Sequence, residues 1–216
     1  MTIRKGEEWG KPATTPADHE VAGSDADLAT WIAHSPGALV EFRPDPGSDL
    51  ARAVGLEPGA PRATEIAMDA LVLADGTTAV NCVTLGPPPD RLGRFARRLE
   101  MTVRIDGNEI VAGRATSVVV AVGQWLRGSD LVPRGHPGDG RFEVQVYRLR
   151  PEERTKMRRR LARSEHVPHP RIVERAGRAI EIIANAPLAL EVDGIARPAT
   201  TRFEARIRPG AYRLLV

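Results

Sequence analysis

The stretch TSVVVAVGQWLRGSDLVPRGHPGDGRFEVQVYRLR, residues 116–150, decides the fold of the chain. It opens with a nearly continuous run of β-branched and small apolar residues over 116–122, which predicts a central strand buried on both faces. Residues 141–149 alternate between apolar and polar, which predicts a strand with one core face and one wetter face. The core face carries Phe142, Val144 and Val146, and the wetter face carries Glu143, Gln145 and Tyr147.

The segment between these strands is a long loop punctuated by glycine and proline, and we expect chemistry there. Its glycines leave the backbone free to take positive φ and to approach a partner closely. Two acids, Asp139 and Glu143, flank the turn into the second strand, and their carboxylates could hold a divalent cation. The alternative is that Asp139 only forms the turn and that Glu143 only faces outward from the strand.

The composition is that of an ordinary globular protein, with 216 residues, 42% hydrophobic residues, 27% charged residues and a formal charge of +3. Cys82 is the single cysteine, which excludes an internal disulfide and fits a reducing compartment. No run approaches the roughly 18 apolar residues that a membrane span requires. We therefore expect a cytoplasmic protein whose membrane contact, where it has any, is peripheral.

The N-terminal part predicts an arm followed by a small α/β unit over residues 20–62. Residues 1–19 are polar and contain two prolines, which predicts an extended or flexible arm. Ser24 caps a helix that stops at the Ser-Pro-Gly breaker of 35–37. A short strand over 38–42 and a second helix over 47–54 complete the unit.

From residue 63 to 216 the chain is β-rich. Three Asp-Gly pairs, at 75–76, 106–107 and 193–194, predict tight hairpin turns. At least eight short strands at close spacing predict an α+β, mainly β fold, with an antiparallel β-sandwich-like domain and a small α/β remnant at its N-terminus.

Two basic segments suggest partners. The first predicts a short helix over 90–99 with Leu92, Phe95 and Leu99 on one face, which could lie on a lipid or anionic membrane surface through Arg91, Arg94, Arg97 and Arg98. The alternative is a solvated helix docked on the sheet. The second, a helix over 151–163, has no interleaved aromatic residues, so nucleic acid is not expected as a partner.

Other catalytic and metal motifs are absent from the sequence. It contains no nucleophile elbow, no Walker A loop and no dinucleotide fingerprint. His166 and His169 are separated by Val-Pro, and the prolines beside them bar the helix that would align the two rings, so zinc is not expected.

The stretch 116–150 resembles the C-terminal domain of the bacterial diacylglycerol kinase family, the YegS-like lipid kinases. The resemblance is carried by the apolar strand and the glycine loop, then by Pro133, the Asp139-Gly140 pair and Glu143. It extends to residues outside the stretch, at Asp69, Asn81, Gly86, Asp193 and Gly194. The resemblance implies a substrate-side β-domain, with Asp193 as the base that accepts the proton of a lipid hydroxyl.

Two N-terminal segments, VAGSDADLATWI (21–32) and FRPDPGSDLARAVGL (42–56), resemble the nucleotide-binding loops of the same family. The resemblance places Gly23, Asp25 and Gly47 beside a nucleotide. However, Ser24 and Ala26 stand where the family has glycines, and Asp27 places negative charge where polyphosphate would bind. Only 22 residues precede Gly23, and Ile195 replaces the acid that follows Asp193-Gly194 in the family.

These departures lead to three hypotheses. The first is a lipid-kinase-like protein that is catalytically degenerate and binds a lipid or a partner protein. The second is an active ATP-dependent diacylglycerol or lipid kinase with an altered nucleotide site, which alone would require ATP and Mg²⁺ as cofactors. The third is a structural interaction module that forms a homo-oligomer or joins a protein partner.

Overall fold

The computed structural model describes residues 9–57, 59–165 and 169–216. Strands dominate these residues, which confirms the predicted α+β, mainly β class. In chain order the elements are β1 Gly10–Pro12, β2 His19–Gly23, α1 Asp25–His34, β3 Leu39–Pro44, α2 Asp49–Val54, β4 Thr64–Leu73, β5 Thr78–Ala79, β6 Cys82–Leu85, a 3-10 turn Pro89–Arg91, β7 Leu99–Ile105, β8 Asn108–Ala115, β9 Ser117–Ala121, β10 Trp125–Leu126, β11 Ser129–Asp130, β12 Phe142–Tyr147, α3 Pro151–Leu161, β13 Ile172–Gly177, β14 Ala179–Val192 and β15 Ile195–Leu215.

The main sheet follows the order β1-β4-β15-β14-β6-β9-β12-β13. The long strand β14 changes neighbours along its length, because 180–184 pair with β7 whereas 190–192 pair with β6. The sheet thus folds over, and β12 and β13 come into contact with β8 and β7. Apolar side chains from both layers form one core, which gives the β-sandwich-like arrangement. This core includes Leu71, Val103, Val120, Val144, Ile182 and Phe203.

The N-terminal α/β unit is built onto the same sheet. Strand β2 pairs in parallel with β3, and β3 pairs in parallel with the last residues of β15. Ser24 caps α1 and Gly55 ends α2 at a φ of 69°, so both predicted helices form where their capping residues indicate. A second core fills the space between helices and sheet, and it includes Leu28, Ile32, Phe42, Leu50, Met68 and Tyr212.

Part of the predicted flexible arm belongs to the sheet. Gly10–Pro12 pair with β4 as β1, and the Trp9 indole donates to the carbonyl of Ala67 at 3.1 Å. Local composition did not reveal this, because the pairing partner lies more than fifty residues along the chain.

The prediction that β12 has a wetter face is wrong for Gln145 and Tyr147. Both side chains are buried, because α3 and the loop before β12 cover that face of the sheet. The Tyr147 hydroxyl donates to the Gln145 side-chain oxygen, and the Gln145 amide donates to Leu131, so the buried polar groups have partners.

The predicted helix over 90–99 does not form. Only Pro89–Arg91 make a 3-10 turn, and Phe95 is 91% exposed rather than docked on the sheet. The carbonyls of Gly93, Arg94 and Ala96 accept hydrogen bonds from the Arg154 guanidinium, and the Gly93 carbonyl also accepts from the Ala96 N–H at 3.1 Å in a single turn that does not continue into a helix.

The Asp-Gly pairs at 106–107 and 193–194 form turns in which both residues have positive φ, as a type I′ turn requires. The first joins β7 to β8, whereas β9 pairs with β6 and β12.

No helix of the described residues is suited to crossing a bilayer. The longest, α3, has 11 residues and is strongly basic. His166, considered with His169 above, lies outside the described residues.

Candidate functional site

The N-terminus of α1 is closed by the chain's own side chains. The Asp27 carboxylate accepts from the Ser24 backbone N–H at 2.8 Å and from the Ser24 hydroxyl at 2.7 Å, and these bonds lower the pKa of Asp27. The Ser24 Oγ accepts in turn from the Asp27 N–H at 3.2 Å. A Cβ built on Gly23 would lie 2.6 Å from the Asp27 carboxylate, so this anion sits directly against the loop predicted to bind a nucleotide.

The N-terminus of α2 is closed in a similar way. The Ser48 Oγ accepts from the Ala51 N–H at 3.0 Å, and the same hydroxyl donates to Asp25. The Asp25 carboxylate also accepts from the Leu50 N–H at 3.1 Å, and burial raises its pKa. Asp25, which was predicted to lie beside a nucleotide, thus contacts Ser48, and Ser48 directly follows the exposed Gly47.

Two buried acids that the sequence reasoning did not assign to the site hold adjacent loops. Asp49 accepts from the backbone N–H groups of Arg127 and Gly128, which joins α2 to the turn between β10 and β11. Asp69 accepts from Gly140 at 2.6 Å and from Gly210 at 2.8 Å, and burial is the main cause of its raised pKa. Both acids lie at positions of the sequence that resemble the family, and this resemblance could have indicated them as site residues.

Asp193 lies in the turn between β14 and β15, where its carboxylate binds three backbone N–H groups. Its carboxylate accepts from the N–H groups of Val80 at 2.8 Å, Asn81 at 3.0 Å and Cys82 at 2.8 Å. Burial raises its pKa to about 7, and the nearby negative charge of Asp25 adds to the increase.

A cleft of about 320 Å³ lies beside Asp193 and runs between α1 and the turns at 75–78 and 193–197. Hydroxyl, imidazole and guanidinium groups line it, which suits a polar ligand with hydroxyl groups. The lining includes Thr30, His34, Thr77, Thr78 and Arg197.

Tyr212 stands among these acids. It is fully buried, and its hydroxyl lacks a hydrogen-bond partner among the described residues. Burial raises its pKa well above the ordinary value, and the charges of Asp25, Asp193 and Asp69 reinforce the effect. No local sequence pattern places Tyr212 near these carboxylates, which come from distant parts of the chain.

The predicted metal ligands Asp139 and Glu143 are close enough to interact electrostatically. Burial raises the pKa of both, and for Glu143 the charge of Asp139 is the next cause. Asp139 also accepts from the Arg141 N–H at 3.0 Å, as a turn-forming aspartate does. Within the described residues no group of three or more potential ligands that could hold a metal is present.

The four arginines predicted to contact a membrane lie on or next to the loop that replaces the predicted helix. Arg94 stacks over the Phe95 ring at 5.9 Å, and Arg98 donates to the Arg114 carbonyl at 2.8 Å. Arg91 pairs with Asp90 at 3.7 Å, and Arg97 is exposed.

Comparisons with known proteins agree with this architecture. The family model described as the YegS C-terminal NAD kinase beta sandwich-like domain matches residues 91–216, which is more than half of the chain. No curated protein matches the chain.

Solved structures share the fold at low sequence identity. A proposed diacylglycerol kinase from Bacillus anthracis str. Sterne superposes with a TM-score of 0.76 at 16% identity, covering 92% of this chain and 77% of that one. Yeast NADH kinase complexed with NADH superposes with a TM-score of 0.51 at 13% identity, covering 92% and 62%. An NAD kinase from Archaeoglobus fulgidus in complex with ATP gives 0.50 at 14%, covering 92% and 78%.

Proposed function

The chain belongs to the family of the YegS C-terminal NAD kinase beta sandwich-like domain, and from this premise we propose that it is a lipid-kinase-like protein that binds without phosphoryl transfer. Its ligand in this proposal is a lipid, or else a partner protein. The observation that carries the proposal lies at the N-terminus of α1, where the Asp27 carboxylate accepts the hydrogen bond of the Ser24 N–H group.

The physical argument starts from what a nucleotide needs. Phosphate oxygens bind at helix N-termini through free backbone N–H groups, and glycines allow the close approach. In this chain Ser24 and Asp27 satisfy each other in a capping box. A polyphosphate would have to displace that carboxylate and would meet its negative charge, so the loop that resembles a nucleotide site disfavours nucleotides.

The second loop supports the same conclusion. At the start of α2 the donors of Leu50 and Ala51 are taken by Asp25 and Ser48. The N–H groups of Ser24 and Asp27 in the first loop, and those of Leu50 and Ala51 in the second, therefore reach a ligand only when internal hydrogen bonds break, and each such bond contributes about 0.5–1.5 kcal/mol net.

Calorimetric titration with Mg·ATP tests this proposal. We expect no heat for the wild-type protein at any nucleotide concentration up to the millimolar range, and no thermal stabilisation. Asp27→Asn is the matched variant, because the amide oxygen keeps the cap to Ser24 while the charge is removed. Binding of Mg·ATP by the wild-type protein with micromolar or tighter affinity would overturn the proposal.

An active diacylglycerol or lipid kinase is the second candidate, and the pKa of Asp193 favours it. A carboxylate with a pKa of about 7 suits a base that accepts the proton of an acceptor hydroxyl at neutral pH. In this reading Gly23, Asp25 and Gly47 lie near the phosphates, and Asp139 and Glu143 hold Mg²⁺. The test is transfer of labelled phosphate from ATP to diacylglycerol in mixed micelles, with loss of transfer in Asp193→Asn as the required result.

A further inference from the structure

Phe95 is the most exposed large hydrophobic side chain of the described residues, at 91%, whereas Ile183 and Ile195 are exposed at 40% and 47%. A phenylalanine in water keeps a large apolar area hydrated, which is unfavourable by comparison with any apolar contact. The ring stands in the loop 93–97, between the 3-10 turn and β7. Its exposure calls for a physical reason.

Hydrogen bonds from α3 hold the loop 93–97 in this conformation. The Arg154 side chain of α3 is 1% exposed, and its guanidinium donates to the carbonyls of Gly93 at 3.2 Å, Arg94 at 2.8 Å and Ala96 at 2.8 Å. The same group donates to the carbonyl of Leu149 at 3.4 Å. A buried guanidinium is tolerated only when its donors are satisfied, so loop and helix specify one another. Phe95 is thus presented outward by a fixed backbone.

The surroundings of Phe95 are basic. Arg94 and Arg97 are exposed beside it, and among the described residues no ion pair includes either of them. The acids nearest along the chain are neutralised, because Asp90 pairs with Arg127 at 3.1 Å and Glu100 pairs with Arg114 at 3.5 Å. The loop therefore offers one apolar ring flanked by two exposed arginines that form no ion pair within the part of the chain that the structure describes.

We propose that the loop 93–97 anchors the protein to an anionic lipid bilayer, with the Phe95 ring entering the headgroup region and Arg94 and Arg97 contacting lipid phosphates. The inference rests on the lipid binding proposed above and names the form of the lipid as a bilayer surface rather than a single molecule. An aromatic ring next to cationic side chains matches the layered chemistry of a membrane interface, where apolar and polar groups meet within a few ångströms.

The size of the effect follows from the groups involved. Each arginine near an anionic surface strengthens binding roughly fivefold, and the attraction falls with salt. Burial of the Phe95 ring in the interface strengthens binding by at least about tenfold. Together these contributions support reversible peripheral binding.

Vesicle co-sedimentation of the full chain tests the anchor. We expect binding to sucrose-loaded vesicles of equal parts phosphatidylcholine and phosphatidylglycerol, little binding to phosphatidylcholine alone, and weaker binding at high salt. Phe95→Ala should weaken binding about tenfold, and Arg94→Glu/Arg97→Glu should abolish it. Ile183→Ala on β14 and Arg206→Glu/Arg208→Glu on β15 are matched controls at exposed positions and should bind as the wild-type protein does.

Three results would overturn the anchor: no binding of the wild-type protein to anionic vesicles, unchanged binding of Phe95→Ala, or an equal loss in the matched controls. Titration with monomeric short-chain phosphatidylglycerol separates this failure from failure of the proposed function. Binding of the monomer without binding of vesicles would remove the bilayer anchor and leave lipid binding in place.

Discussion

Asp193→Asn should change how the stability of the protein depends on pH. The carboxyl group in the folded protein has a pKa of about 7, against 3.8 in the ordinary state. Because burial disfavours the charged form, the folded state binds this proton more tightly than the unfolded state. The stabilisation of the folded state by protonated Asp193 is fully present below about pH 4 and is lost as the pH rises through about 7.

The magnitude follows from the two pKa values. Each unit between them corresponds to about 1.36 kcal/mol, so ionisation of Asp193 costs the folded protein roughly 4 kcal/mol between about pH 4 and about pH 8. Asparagine does not ionise, so the variant avoids this cost. Asparagine also offers one acceptor oxygen to the three N–H donors of Val80, Asn81 and Cys82, and that loss is constant with pH.

The assay is urea unfolding of both proteins at a series of pH values, followed by tryptophan fluorescence. The free energy of unfolding of Asp193→Asn minus that of the wild-type protein should rise by roughly 4 kcal/mol from about pH 4 to about pH 8. Asp106→Asn is the matched control, because Asp106 precedes glycine in the same turn type and accepts from two N–H groups, but is exposed.

A difference that stays flat with pH would refute the reasoning. It would mean that Asp193 ionises with an ordinary pKa in the folded protein. A rise no larger than that of Asp106→Asn would refute it as well, because the effect would then belong to the turn. Either result would also remove the argument for Asp193 as a base at neutral pH.

Two further predictions concern the fold. Gly86→Ala should destabilise the protein by more than about 2 kcal/mol, because a Cβ there would lie 2.4 Å from the Thr116 carbonyl; Gly76→Ala, also at positive φ but with open space, should cost about 1 kcal/mol in the same urea assay. Arg154→Met should lower the free energy of unfolding by about 3 kcal/mol and expose the loop 93–97 to trypsin, because three loop carbonyls lose their donor; trypsin resistance equal to wild type would contradict the clamp.

Elements with local determinants could be predicted from the sequence. Helix α1 begins after Ser24 and α2 ends at Gly55, since a capping hydroxyl and a left-handed glycine act within one turn. The run over 116–122 was also sufficient for β9, because β-branched residues suit a buried strand whatever its neighbours are.

Features that depend on distant residues could not be predicted. The apolar spacing of 92–99 favours a helix, but Arg154, about sixty residues away, binds the carbonyls that a helix would need. The alternation in β12 indicates a wetter face, but α3 covers Gln145 and Tyr147. In each case tertiary contacts overrode a correct local pattern.

In the candidate site, too, local features could be predicted from the sequence and contacts between distant residues could not. The charge that Asp27 places in the nucleotide-like loop was evident from the sequence, whereas its hydrogen bonds to Ser24 were not. The prediction of Asp193 as a site residue rests on a family resemblance. Its proximity to Asp25 and Tyr212 depends on how β15 is paired, and no local pattern encodes that pairing.

Strand β15 has a consequence for the time course of folding. It pairs with β14 and β4 over much of its length, and its last residues also pair with β3. Arg213 thus lies opposite Leu39, which is 174 residues earlier in the chain. During synthesis α1, β3 and α2 leave the ribosome long before the strand that completes their sheet. Because contacts of such separation form late, the sheet of the N-terminal unit is completed only when β15 joins it, and we expect the chain to fold slowly.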